Sequence, residues 1–199
     1  MNTATETIQH QSMRESAFKL AAGGSLVEAI GALATIALAI VGLAGVFSPT
    51  MAAIATIVIG ASILIEGGSF GAVTTRESAS VTERTEWSGG MSAGFLGGLT
   101  GIVLGILALL GVAQMTLLSV AILTFGASFF LGSMSFMSVM PATVGGQVLV
   151  GLAALVLGIL AVIGLDPLTL VLVGLLALGA ASLFSGAAFG AKSLSWVQR

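Results

Sequence analysis

Two carboxylates, Glu28 and Glu66, stand inside long apolar stretches of this 199-residue chain. A charge in hydrocarbon is costly, so an acidic residue in such a stretch marks a site by default. Their spacing pairs them. With a turn centred near residue 47, antiparallel partners at equal depth have numbers summing to about 94, as 28 and 66 do. Each would lie about 6–10 Å inside the edge of its span at 1.5 Å per residue. Two carboxyls facing each other in a low dielectric cannot both ionise cheaply and would share a proton, the ingredient of a pH sensor or a proton-coupled step. The rival reading leaves Glu28 in hydrated interface near Lys19 and lets Glu66 bond a neighbouring helix. A proton pump would need further steps, and only hydroxyls follow towards the far side.

Other chemistry is sparse. His10 is the lone histidine and sits in a polar tail, and cysteine is absent. The sequence holds no nucleophile–base pair, no cluster with metal-ligand spacing and no phosphate-cradling loop. Ser62, Ser128 and Ser182 can each bond the carbonyl of the preceding helical turn and need no catalytic role. The expectation is a protein that is not an enzyme and carries no cofactor or metal.

The elements that must position the two glutamates are read from composition. Hydrophobic residues make up 57% of the chain and charged ones 7%, with mean hydropathy +1.16. A water-facing surface needs close to a quarter charged residues, so the surrounding medium must itself be apolar. A net charge of −2, with no basic patch, argues against nucleic acid as a partner. Residues 1–19 carry no apolar core, so the first apolar run is expected to serve as the insertion signal in place of a cleaved leader. Six stretches have the roughly 20 apolar residues of a membrane helix, near 22–46, 50–73, 90–112, 116–140, 144–164 and 168–191. None alternates like a barrel strand.

These stretches repeat. Shifts of 66 and 119 positions bring Leu33, Leu99 and Leu152 into register, along with Leu38, Leu104 and Leu157, and Ile40, Ile106 and Ile159. The turn residues Gly45, Gly111 and Gly164 align, as do Gly60-Ala61, Gly126-Ala127 and Gly179-Ala180. The expected fold is therefore an all-α membrane protein with six transmembrane helices in three tandem helical hairpin repeats. Its parts are a polar tail (1–19), hairpin 1 (20–75), a loop (76–89), hairpin 2 (90–140), hairpin 3 (141–191) and a second tail (192–199). In each turn glycine is expected to end one helix in a left-handed cap. Ser48-Pro49 and Asp166-Pro167 are expected to open the next, a capping residue followed by proline.

All six basic residues, Arg14, Lys19, Arg76, Arg84, Lys192 and Arg199, fall on the tails or the loop after the second span. The positive-inside rule makes that side cytoplasmic, both termini included. In lipid, helices associate through small residues. Gly97, Gly101 and Gly105 recur along the third span and Ser182, Gly186 and Gly190 along the sixth. Such faces serve either packing within the chain or a homo-oligomer, so the expected partners are the bilayer, a second copy or other membrane subunits.

The segments GILALLGV, AILTFGASFFLG, GILAVIGLDPLTL and LLALGAASLFSG resemble the HdeD-type short-repeat membrane proteins over roughly residues 20–190. The resemblance implies a six-span bacterial inner-membrane protein associated with acid resistance or another envelope stress, with no catalytic residues to carry over. The acidic, hydroxyl-rich stretch at 74–89 and the sparse positive charge depart from that family.

Overall fold

Segments with so few polar side chains have to satisfy their own backbone groups, and among the described residues they do so as helix. The computed structural model describes the backbone of residues 27–74, 81–136 and 141–197, and the side chains of 27–65, 93–133 and 145–184. Six helices and no strand occur among the described residues: α1 Val27–Leu43, α2 Ser48–Thr74, α3 Val81–Leu109, α4 Gln114–Phe136, α5 Pro141–Ile163 and α6 Pro167–Val197. Four contain segments long and apolar enough to cross a membrane: Ser48–Ile65, Gln114–Ser133, Gly145–Ile163 and Pro167–Phe184. In α1 and α3 the apolar segments, Val27–Leu43 and Ala93–Leu109, are shorter. Both begin where the described side chains begin.

Two expected boundaries move. Residues 81–89, assigned above to a loop, are the start of α3, and residues 192–197, assigned to the tail, continue α6. The reason is local. Carboxylates such as Glu83 and Glu86 are favourable near a helix N-terminus, so this polar sequence supports helix. Polarity ends a membrane span, but it does not end a helix.

The turns α1–α2, α3–α4 and α5–α6 share one geometry. Gly45, Gly111 and Gly164 take φ of 86°, 81° and 94°, a left-handed conformation in which glycine has no Cβ penalty. Gly45 N donates to Gly42 O (3.0 Å) and Val46 N to Val41 O (3.3 Å). Gly111, Val112, Gly164 and Leu165 repeat both bonds at 3.0, 3.2, 3.1 and 3.2 Å. This is the Schellman arrangement, which satisfies carbonyls that the helix end would otherwise orphan. Phe47, Ala113 and Asp166 then also adopt positive φ, and their carbonyls accept the first bond of α2, α4 and α6. Asp166 thus occupies the cap position expected of it. Ser48 does not: Phe47 takes that place, and Ser48 Oγ donates back to Gly42 O at 2.7 Å.

Between turns, even-numbered helices are inside and odd-numbered ones outside. The spans of α2, α4 and α6 are 44%, 39% and 44% buried, against 22% for α5. Leu118, Ile122, Val171, Leu172 and Leu175 fill the centre with alanines of α2. The outer surface of the odd helices is apolar too. Leu99, Val103 and Ile106 line α3, and Leu149, Leu152, Val156 and Ile159 line α5. An exposed stripe of branched aliphatic residues on helices already apolar inside is compatible with a protein solvated by lipid.

Glycine sets how closely the layers approach. A Cβ on Gly60 would stand 2.9 Å from Gly98 O and 3.1 Å from Ile102 N of α3. On Gly126 it would meet Leu155 N at 2.7 Å and Gly151 O at 3.0 Å of α5, and on Gly179 Ala32 O at 3.2 Å and Ile36 N at 3.5 Å of α1. The third contact joins the last helix to the first, so the six helices close into a ring. Because the facing atoms are backbone, they cannot swing away. Gly126→Ala is therefore expected to cost about 1–3 kcal/mol. Gly145→Ala, with nothing within 4 Å of the added carbon, should be neutral or stabilising by up to about 1 kcal/mol. Unfolding midpoints in detergent check the difference in sign.

Candidate functional site

Glu28 is the only acidic side chain described within a helix, and it is 5% exposed. It belongs to the stripe of α1 formed by Glu28, Gly31, Ala32, Thr35, Ala39 and Gly42, all buried. Helical spacing explains why they share a face. One turn along, a Cβ on Gly31 would collide with Ser62 Oγ of α2, while the Ala32 carbonyl meets Gly179 of α6. Glu28 thus lies at the seam of α1 with both inner neighbours. Glu28 is engaged in an interaction, as is Ser182 of α6. Glu66 continues α2 in backbone terms, but its side chain lies outside the described residues. The inferred pairing with Glu28 is therefore a matter of sequence depth alone.

Six buried hydroxyls are spent within their own helices. Thr35 Oγ1 donates to Gly31 O (2.8 Å), Thr56 Oγ1 to Ala52 O (2.7 Å), Ser62 Oγ to Val58 O (3.0 Å) and Ser119 Oγ to Met115 O (2.8 Å). Ser128 and Ser133 do the same towards Thr124 O (2.9 Å) and Phe129 O (2.6 Å). Among the described residues no buried side-chain nitrogen or oxygen lacks a partner. A serine bonded this way is small and electrically quiet, and it lets glycine of the next helix lie directly over it. Gly31 over Ser62 and Gly97 over Ser128 are the two cases. At the matching positions of hairpin 3 stand Val150 and Ala181, where a larger residue faces a smaller one.

The small-residue face of α3 is used inside the chain. Gly97 and Gly101 are directed at α4, where added carbons would collide with Ser128 Oγ and the Phe125 ring, and Gly105 faces Ala53 O of α2 at 3.2 Å. Ser182 is buried. Gly186 and Gly190 lie in α6, with surroundings outside the described residues. What the sequence reading lacked was the partner of each glycine. Its signal was present in the small residues Ala32, Gly98 and Gly151, which hold the same register as the noted Gly60, Gly126 and Gly179.

Compared with known proteins, the chain matches no family model, no curated protein and no solved structure.

Proposed function

We propose that this chain is a non-catalytic bacterial inner-membrane protein that spans the bilayer six times as three tandem hairpins and acts as a closed, non-conducting body. What supports the closed reading above all is the interior: a centre filled by aliphatic side chains, with its hydroxyls bonded to their own helices. A path for ions or solutes requires polar groups directed into a cavity. The recurrence of one turn and one interhelical contact at the same sequence offsets supports the triplicate reading. As the HdeD-type resemblance implies, the role lies in tolerance of acid or another envelope stress, exerted through the bilayer, a second copy or other membrane subunits.

A second reading, proton passage, is favoured by one observation, the burial of Glu28. Proteoliposomes loaded with a pH-sensitive dye separate the two. Under an imposed pH gradient the expected leak equals that of protein-free vesicles, for wild type and Glu28→Gln alike. A leak present in wild type and lost in Glu28→Gln would establish passage instead.

Sidedness is tested on a chain that has no cysteine of its own. A thiol placed at Ser78 should react with an impermeant maleimide only after the cells are permeabilised. One placed at Phe47 should react in intact cells or, shielded by headgroups, not at all. Labelling of residue 78 from outside would reverse the assignment.

A further inference from the structure

We propose that a groove on the outer face of α4, between α3 and α5, holds one hydrocarbon chain of a bilayer lipid. The groove has a volume of about 480 Å³. Its floor is Thr124, Ala127 and Ser128 of α4 and its wall Leu96, Gly97 and Thr100 of α3. Gly97 lets α3 lie directly over Ser128 at the bottom of the groove, and the matching residue of hairpin 3 is Val150.

Length selects the occupant. The lining runs from Leu123 to Leu131 on α4, about 12 Å at 1.5 Å per residue. One leaflet of hydrocarbon is about 15 Å deep. The groove stops at mid-span because Leu123 meets α5 there, with Gly158 so close that an added carbon would stand 2.7 Å from Leu123 Cγ. A transmembrane helix of a second copy would have to run on through that closure, being about 30 Å long and 10 Å wide. A single chain entering from the leaflet on the side of the tails ends where the groove ends. Polarity agrees: the Thr124 and Ser128 hydroxyls donate to Val120 O and Thr124 O, both at 2.9 Å. Their protons are not offered to a ligand. The rims, Leu96 and Leu131, are exposed aliphatic residues continuous with the lipid-facing stripe of α3.

The inference rests on the membrane placement proposed above, and its test keeps the two apart. The full chain is reconstituted in vesicles whose phosphatidylcholine carries a diazirine in one acyl chain, irradiated, and mapped by peptide mass spectrometry. Adducts on the α3 and α4 groove residues are expected to exceed those on the exposed α5 stripe residues Leu149 and Leu152 by about threefold or more. Ala127→Phe, checked for native helicity and elution, should lower the groove adducts by about that factor and leave the stripe unchanged. Equal labelling of groove and stripe in the wild type would mean only passing annular lipid and overturn the site, as would groove adducts that Ala127→Phe leaves unchanged. Labelling of neither would defeat the membrane reading itself.

Discussion

Val156→Arg should lower the yield of stably inserted protein. Val156 is 50% exposed on the outer stripe of α5 and stands ten residues before Asp166, about 15 Å from the turn and so near the bilayer centre. An arginine there costs about 2.5–3.5 kcal/mol in insertion, a loss of about a hundredfold in the insertion equilibrium constant. In water the same change on an exposed position would be nearly neutral. Carbonate-resistant membrane yield measures the effect, and yield equal to wild type would refute lipid as the solvent of this face.

The second large effect concerns the interior. Phe125 is fully buried and its ring lies over Gly101 of α3. Phe125→Ala is expected to destabilise by about 2–4 kcal/mol, below the usual 3–5 because lipid competes as an apolar environment and only the lost packing remains. Phe184→Ala, at a side chain 76% exposed, should change stability by less than about 0.5 kcal/mol. Hairpin 3 supplies a sharper version. Its residues at the matching positions are Ala154 and Leu178, also fully buried. Gly101→Ala alone pushes a carbon into the Phe125 ring, and Phe125→Leu alone leaves a gap. Together they recreate the pair of hairpin 3, so the double variant should recover about 0.5–3 kcal/mol relative to the sum of the singles. Chemical denaturation in mild detergent reads all five variants. Strict additivity would mean that the two positions do not share one packing volume.

The Gly126 and Gly145 pair tests the same principle at the helix backbone, where the sign of a one-carbon change depends only on what faces it. These cases also show why composition could not rank the 28 glycines. Gly45 and Gly111 serve the backbone at positive φ, Gly98 and Gly151 serve a neighbour's close approach, and Gly145 and Gly146 face open space. The letter is the same in each.

The sequence by itself determined that the chain is helical, that its surroundings are apolar, and where glycine and proline turn it back. Those properties are local: hydrogen bonds a few residues apart, the left-handed freedom of Gly45, Gly111 and Gly164, and side chains with nothing to offer water. Even so, it drew the loop at 76–89 too long, since it took polarity for the end of a helix. It also gave Ser48 a capping role that Phe47 holds. Only the tertiary structure decided that the even-numbered helices lie inside, that α6 closes on α1 through Gly179 and Ala32, and that the glycines of α3 meet α2 and α4. Helices apolar on every side carry no label for the face to be buried. In lipid that choice falls to close packing between residues far apart in the chain, which no periodicity along one helix records.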